Sequence, residues 1–380
     1  MPEAIPSRPK TAPMVKYPHH LPKEGTVTMK KKVTLRPKQV TLRPFEQTLP
    51  ATFPTGAPKP AALTRTATLK DWLGHWLDDV VAPEREPTTY YSYANIVNAH
   101  LIPALGRVRI CDLTPQLIES YYTWVMRNKN LASNTVRKHH VLLHSALKLA
   151  YRQGILDSNP VDRVEPPRLT PARQTFYNAE QLARLLDLSE GTALELPVKL
   201  AGYLGLRRSE IVGLRWCDVD LARGTVSIRS VRTAAGHRVV CKAPKTAGSM
   251  RTLDISCVTD LTALLERQLA AHRALMAERR LPWREDLCVA TDPEGHPWHP
   301  NRLTLLFSQF IAARGLPKVT LHGLRHTFAS VANDARVPMY QISKTLGHSD
   351  PAITARIYTH VFDQTHGEVL SAVIRAIPGR

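Results

Sequence analysis

The sequence has no run of about 18 apolar residues, the length that a membrane-spanning helix needs, and its amino terminus lacks the apolar stretch of a secretory signal. It also has no Cys-x-x-Cys pair. Its cysteines are odd in number and dispersed, which indicates reduced thiols rather than a disulfide framework or a zinc site. We therefore expect a cytoplasmic protein without a membrane anchor. The cysteines are Cys111, Cys217, Cys241, Cys257 and Cys288.

Acidic residues are scarce in relation to basic ones. The chain has 51 Lys and Arg against 32 Asp and Glu, a formal net charge of +19. Such a charge favours a polyanionic partner, either nucleic acid or an anionic membrane surface. The apolar fraction of 43% is ordinary, and 380 residues suffice for two or three domains, so most of the chain is expected to fold.

Residues 1–66 are expected to lack long helices, because they hold 12 of the 30 prolines. They carry 12 Lys or Arg against three Glu, and a five-residue repeat occupies 33–37 and 40–44. One interpretation is a basic, largely disordered arm that contacts DNA phosphates. The alternatives are a solvated linker, or a start assigned too early, with Met14 or Met29 as the true first residue. The candidate phosphate contacts in this arm are Lys30, Lys31, Lys32, Arg36 and Arg43.

A helical domain is predicted over 67–163. Apolar residues recur at three- and four-residue spacing from Leu69 to Leu77, which is typical of a helix with one buried face. The last helix of the domain is predicted to be capped by Ser133 and to end at Gly154. The apolar stripe consists of Leu69, Trp72, Leu73, Trp76 and Leu77, and the later helices are predicted over 90–101, 115–127 and 133–154.

The last of these helices has an apolar and a polar side. Its polar positions are interpreted either as a face laid on DNA phosphates or as an ordinary solvated surface. A Pro-rich, basic linker is predicted to follow over 164–174. The apolar positions are Val136, Leu143, Leu147 and Ala150, and the polar ones are Arg137, Lys138, His139, His140 and Lys148. The candidate DNA contacts of this region are Arg137, Lys138 and Arg168.

Residues 175–380 are predicted to be mainly helical, with one strand-rich insert. Three segments rich in β-branched residues are separated by turn residues at Gly236 and Gly248, which predicts a small antiparallel sheet. The predicted strands are 224–228, 238–241 and 251–255. Helices are predicted over 261–278, over 301–314 and from residue 322 onward.

Several segments of this part hold residues suited to phosphodiester chemistry. Transfer of a phosphodiester without a metal needs a nucleophile, cations at the non-bridging oxygens and a proton donor for the leaving alkoxide. Arginine suits the second task, because its planar fork meets two phosphate oxygens and stays charged. Arg207 follows a glycine turn, and Glu210 is placed to orient it. The alternative is a helix start with surface arginines.

Lys245 lies between two predicted strands, where it either reaches into a groove or is simply solvated. His322 and His326 are four residues apart on a predicted helix, a spacing that also fits zinc. Against zinc, the segment lacks the Glu of the His-Glu-x-x-His pattern, and Arg325 would place a cation beside the metal. His326 is therefore interpreted as a structural histidine.

Tyr358 follows a Leu-Gly-His segment and precedes His360. In chain order, Gly-Leu-Arg-x-Ser-Glu, Pro-Lys-Thr, His-x-Leu-Arg-His-Thr, Leu-Gly-His and Tyr-x-His resemble the motifs of the tyrosine recombinase (phage integrase) family. The resemblance covers about 175–362. It implies a mainly α fold with a small antiparallel β-sheet, built from a helical, SAM-like core-binding domain over 67–163 and a mixed α+β catalytic domain over 175–380.

The resemblance implies a role for each motif residue. Tyr358 is the expected nucleophile, which attacks the scissile phosphate to give a 3′-phosphotyrosyl bond and a free 5′-hydroxyl. Arg207 and Arg325 would hold the non-bridging oxygens, Glu210 would support Arg207, and Lys245 would protonate the leaving oxygen. Two histidines would assist by hydrogen bonding and proton transfer, and no metal, ATP or other cofactor is expected. The expected catalytic set is Arg207, Lys245, His322, Arg325, His348 and Tyr358.

The implied function is site-specific recombination that integrates or excises a phage or mobile element. Its implied partners are double-stranded DNA attachment sites and other copies of the chain in a tetramer on DNA, in the bacterial cytoplasm or nucleoid. A directionality factor is left open, as is the question of whether a predicted helix over 368–377 packs on its own domain or on a neighbouring protomer. Two alternatives share the fold: a type IB topoisomerase-like nicking-closing enzyme and a catalytically silent DNA-binding protein.

Overall fold

A computed structural model describes residues 64–170 and 175–347. The predictions for the arm cations, for His348, Tyr358 and His360, and for a helix over 368–377 lie outside the described residues. Within them, one hydrophobic core is built by residues between Leu69 and Val164, and a second by residues between Tyr177 and Leu324. Among the described residues, no helix combines the length and apolar content needed to span a bilayer.

The first core is enclosed by helices that the sequence pattern anticipates. The stripe from Leu69 to Leu77 is buried, as predicted. Thr68 caps the first helix by accepting from the Asp71 backbone N–H, and Trp72 Nε1 donates to the Ala146 carbonyl at 3.0 Å. The helices are α1 Leu69–His75, α2 Ala82–Glu84, α3 Pro87–Ile96, α4 Ile102–Leu105, α5 Pro115–Asn128 and α6 Ser133–Arg152, with π-helical turns at Trp76–Val81 and Val97–Leu101.

The sequence prediction for α6 is correct at its carboxyl end and wrong at its amino end. Gly154 has φ 71°, a left-handed conformation that favours glycine, so it ends the helix as predicted. The predicted Ser133 cap is wrong, because the cap position belongs to Ala132. The Ser133 hydroxyl instead donates to the carbonyl of Arg168, and Asn134 exchanges hydrogen bonds with Thr170. These bonds hold the linker residues against the start of α6.

The apolar side of α6 is buried as predicted, but its polar side contains an exception. His139 was expected among the polar surface positions, and it is fully buried. Its Nδ1 lies 2.9 Å from the Tyr121 hydroxyl, and its ring stacks on His100 with centroids 5.0 Å apart. Burial and the neighbouring His100 lower the pKa of His139 to about 4. A histidine one helical turn from apolar Val136 and Leu143 thus lies on the core side of the helix.

The second core is also mainly helical. The helices predicted over 261–278, over 301–314 and from residue 322 onward are confirmed within two residues at each given boundary. A third, small cluster of Ala329, Ile342 and Leu346 joins the last two helices. The helices are α7 Ala179–Ser189, α8 Glu195–Leu204, α9 Arg208–Ile211, α10 Thr259–Glu278, α11 Pro300–Ala313, α12 Leu321–Asp334 and α13 Met339–Leu346.

The strand-rich insert forms two small antiparallel sheets, where the sequence predicted one. The prediction missed the strand 231–235, which has only one apolar β-branched residue, Val231, and pairs with 238–242 across a turn at Gly236. The outer two predicted strands pair with each other in a separate sheet. The strands are β1 Val219–Asp220, β2 Thr225–Ile228, β3 Val231–Ala235, β4 Arg238–Lys242 and β5 Arg251–Asp254, in the sheets β1-β2-β5 and β3-β4.

Candidate active site

A glycine turn positions Arg207. Helix α8 ends at Gly205, whose φ of 60° is left-handed, and a Cβ there would lie 2.6 Å from the Leu346 side chain. The chain then extends through Arg207, which stands at the cap of α9. The Arg207 backbone N–H donates to Glu210 Oε2 at 2.9 Å, and its Nη1 donates to Oε1 at 2.7 Å. The turn thus presents a partly exposed guanidinium on a fixed carboxylate.

Glu210 is almost fully buried, with 1% of its side chain exposed. Arg251 donates from Nη2 to Oε2 at 3.0 Å and from Nη1 to Oε1 at 3.3 Å. Burial opposes ionisation, yet the hydrogen bonds and charge of Arg251, followed by those of Arg207, hold the pKa of Glu210 below its ordinary value. The carboxylate is therefore ionised and shared by two arginines.

Arg325 reaches the same place from helix α12. It is 1% exposed, and it donates from Nη1 to the Gly205 carbonyl at 2.8 Å and from Nη2 to the Leu346 carbonyl at 2.6 Å. Arg207 Nη2 lies 3.4 Å from the carbonyl of the next residue, Gly347. Both predicted phosphate-binding arginines therefore contact the end of α13, immediately before His348.

The two described histidines of α12 differ in environment. His322 is exposed, whereas His326 is buried, and their rings meet edge to face with centroids 4.8 Å apart. Desolvation by surrounding protein, followed by the charges of Arg325 and Arg207, lowers the pKa of His322. Burial, followed by the neighbouring His322 and Arg325, lowers the pKa of His326 to about 4. His322 thus lies beside both arginines and is neutral at neutral pH. Within 64–170 and 175–347, no three His, Cys, Asp or Glu side chains are grouped as metal ligands.

Lys245 lies in the loop between β4 and β5 and is exposed. It lines a cavity of about 490 Å³ together with Arg207 and Glu210. Lys242 lines the same cavity, and its Nζ donates to Glu86 Oε2 at 2.6 Å. The cavity therefore brings together four cationic side chains, those of Arg207, Arg208, Lys242 and Lys245, and the Glu210 carboxylate that holds Arg207.

Arg208 does not compete with Arg207 for this position. Its Nη1 donates to Thr304 Oγ1 at 2.8 Å and lies 3.4 Å from Asn301 Oδ1, so its guanidinium is held against α11. Only Arg207 of this pair is held on Glu210 and the end of α13.

The candidate DNA contacts of the helical domain lie near one end of α6. Lys138 and Arg168 are exposed. Arg137 donates to the Pro167 carbonyl at 3.1 Å, so it binds the linker rather than standing alone on the helix surface. The assignment of these three residues to DNA stays a prediction.

The sequence prediction missed Arg251 and Lys242 as parts of the site. The sequence analysis placed Arg251 only as the first residue of the predicted strand 251–255. Its burial could not be foreseen, because a charged residue next to a hairpin turn is usually exposed. The available indication was its position: it opens β5 directly after the Lys245 loop and pairs with Ile228 at the end of β2.

Comparison with known proteins agrees with this arrangement. Residues 175–365 match the phage integrase family, and residues 68–125 match the N-terminal SAM-like domain of phage integrases. The chain is 26% identical over 318 residues to a tyrosine recombinase XerC-like protein of Caldanaerobacter subterraneus subsp. tengcongensis, across 77% of this chain and 79% of the relative. It is 23% identical over 288 residues to the ICEBs1 integrase of Bacillus subtilis, across 75% of this chain and 77% of the relative.

Solved structures share the fold. The Tn1549 transposon integrase in complex with transposon right end DNA superposes with a TM-score of 0.66 at 19% identity, over 80% of this chain and 99% of that one. A lambda integrase tetramer bound to a Holliday junction gives a TM-score of 0.58 at 16% identity, over 77% of each chain. The fold is thus that of the tyrosine recombinases, mainly α with small antiparallel sheets. The chain belongs to the phage integrase family, and its activity class is site-specific recombination.

Proposed function

We propose that the chain cuts and rejoins duplex DNA through a 3′-phosphotyrosyl intermediate. The observation that carries this proposal is the convergence of Arg207 and Arg325 on the segment that directly precedes His348. Two guanidiniums, held by a buried carboxylate and by backbone carbonyls, form a rigid cationic site for one phosphate. A phosphate in transfer carries charge on its non-bridging oxygens, and fixed cations stabilise that charge without reorganising.

The proposed step balances without an external energy source. The Tyr358 oxygen forms a bond to phosphorus, and the bond from phosphorus to the 5′-oxygen breaks. Lys245, which lines the same cavity as Arg207, gives its proton to the leaving oxygen. The Tyr358 hydroxyl loses its proton as the bond to phosphorus forms, and we assign His322, which is neutral at neutral pH because its pKa is lowered, as the acceptor of that proton. Attack by another strand's 5′-hydroxyl reverses these events and reseals the DNA.

Double-stranded attachment sites are the proposed substrate. The formal net charge of +19 supports a polyanionic partner, and the related integrases are described in complex with DNA, in one case as a tetramer. We propose the same tetrameric assembly for this chain. Because most contacts would go to phosphates, affinity should fall steeply as salt concentration rises. An accessory directionality protein and a location in the cytoplasm or nucleoid stay predictions.

Joint products test this function against its alternatives. The protein would be incubated with two labelled duplexes, each spanning one boundary between host DNA and the mobile element that encodes the chain. A separate incubation would use a supercoiled plasmid that lacks both boundaries. A recombinase gives joint molecules from the pair. Relaxation of the plasmid without joint molecules would indicate a topoisomerase-like enzyme, and binding without either product would indicate a silent DNA-binding protein.

A further inference from the structure

Arg251 connects three segments that surround the candidate site. Its side chain is only 7% exposed. Nε donates to the Thr345 carbonyl at 2.6 Å, and Nη1 donates to the Ser249 carbonyl at 3.1 Å. The two Nη atoms bind both oxygens of Glu210. One buried guanidinium therefore contacts the end of α13, the loop that carries Lys245, and the carboxylate beneath Arg207.

The contact with Glu210 fixes the direction of Arg207. Both carboxylate oxygens of Glu210 accept from Arg207 and from Arg251. A carboxylate held by one arginine is free to turn about its terminal bond, whereas a second planar fork on the other side fixes its plane. The Arg207 guanidinium, which is 31% exposed, then has one preferred orientation toward the cavity.

The contacts with Thr345 and Ser249 extend this effect to the other catalytic segments. Gly347 packs directly on Arg251, because a Cβ at Gly347 would lie 3.0 Å from Arg251 Nη1 and 3.0 Å from the Gly248 carbonyl. Gly347 also has φ 67°, so a side chain there is disfavoured twice. The Gly347 backbone, which directly precedes His348, therefore packs against the Arg251 guanidinium.

We propose that Arg251 is a positioning residue for the recombination chemistry. Acting through Glu210, it aims Arg207 at the scissile phosphate, and it holds the Lys245 loop and the Leu346–Gly347 turn in register with Arg207. Because the guanidinium is buried, it acts through these groups and not on DNA. The inference rests on the proposed function, since it concerns the same phosphate site.

The competing role is charge neutralisation, in which Arg251 only balances the buried Glu210. Arg251→Lys in the full chain separates the roles, and a double variant tests whether the Arg251–Glu210 pair is needed at all. Arg251→Lys keeps the charge, but a single ammonium cannot span Thr345, Ser249 and both Glu210 oxygens. The double variant Glu210→Gln with Arg251→Met removes both charges together, and replacement of a whole buried pair is often neutral for stability.

The measurements are the melting temperature, the DNA affinity by gel shift, and the single-turnover rate of covalent adduct formation on a nicked duplex carrying the element boundary. Positioning predicts that both variants, at a temperature well below their melting temperatures, bind DNA like the wild type yet form adduct on the order of a hundredfold more slowly, as a displacement of about 1 Å can cause. Arg215→Lys is the matched control, because Arg215 holds buried Asp218 at 2.8 Å and does not line the cavity, so its rate should be unchanged.

Three outcomes would overturn the proposal. They are a wild-type rate in Arg251→Lys, a rate in the double variant within a few-fold of wild type, or a rate loss that parallels lost folding or lost DNA binding. If the double variant does not fold, Arg251→Lys still decides the question. Absence of adduct from the wild-type protein would count against the proposed function itself, whereas wild-type adduct with an unaffected Arg251→Lys counts against Arg251 alone.

Discussion

Arg207 and Glu210 bind each other twice, because the carboxylate accepts from both the guanidinium and the backbone N–H of the same arginine. This reciprocal pair couples a local helix start to the orientation of the proposed phosphate-binding cation. Glu210 is buried and Arg207 is partly exposed, so the Arg207 charge faces the cavity whereas the Glu210 charge is shielded from solvent. Several outcomes of mutation and of changes in conditions depend on this geometry.

Glu210→Ala is expected to cost both activity and stability. It leaves the buried Arg251 guanidinium without its carboxylate, and breaking a buried pair in this way typically costs about 3–5 kcal/mol in the free energy of unfolding. Adduct formation by the folded fraction should also fall on the order of a hundredfold, because Arg207 loses its orientation. Asp218→Ala, which removes a buried carboxylate from partly exposed Arg215, should destabilise the fold without slowing the folded enzyme. Urea unfolding would measure the stability of both variants, and single-turnover rates would measure their activity. An equal loss of rate in Glu210→Ala and Asp218→Ala would contradict the prediction.

Lys245→Ala should slow cleavage by removing the leaving-group acid. A substrate with sulfur at the 5′-bridging position needs no such acid, because a thiol with a pKa of about 8.5 leaves readily as the anion. The variant should therefore cleave the sulfur substrate at nearly the wild-type rate and the ordinary substrate far more slowly. Lys242→Ala is the control in the same cavity and should show no selective rescue. A Lys245→Ala defect of equal size on both substrates would remove Lys245 from this role.

Chelation should leave the reaction unchanged. The proposed charge stabilisation comes from Arg207 and Arg325, and the proton comes from Lys245, so each task is assigned to a side chain. Adduct formation in EDTA should match that in buffer with Mg²⁺. Strong inhibition by EDTA that added metal reverses would instead support a metal site involving His322 and His326.

The stability of the protein should fall in mild acid. His139 and His326 each have a pKa near 4 in the folded chain, below the ordinary 6.5 of the unfolded one. Below pH 6.5 the unfolded state binds protons that the folded state does not, so the stabilisation is complete above pH 6.5 and is lost as pH falls toward 4. Each histidine contributes on the order of 3 kcal/mol over that interval. His139→Phe should flatten the pH dependence of the melting temperature; an unchanged slope would contradict the account.

The helices were predictable because their apolar spacing is local and regular. Leu69, Trp72 and Trp76 recur at helical spacing and are buried. Ser133 shows the limit of such reasoning: a residue with cap chemistry sits one position inside the helix, because its hydroxyl bonds to the Arg168 carbonyl, 35 residues away in sequence. No local pattern contains that partner.

The residues of the candidate site likewise include some that the sequence could predict and some that it could not. Arg207, His322 and Arg325 could be selected from motif spacing, and the structure brings them together, with Lys245 lining the same cavity as Arg207. Arg251 could not be selected, because its importance lies in contacts with Thr345 and Glu210, far away in sequence. The strand 231–235 was missed for a related reason, since its pairing with 238–242 compensates for a weak strand composition.

The most direct test of the account is covalent capture of the DNA. The wild-type protein and Tyr358→Phe would be incubated with a nicked suicide duplex carrying the element boundary, and the products separated on a denaturing gel. We predict a protein–DNA adduct with the wild type and none with Tyr358→Phe, although this variant still shifts the duplex in a native gel. An undiminished adduct with Tyr358→Phe, or none with a wild-type protein that binds the duplex, would contradict the assignment of Tyr358 as the nucleophile.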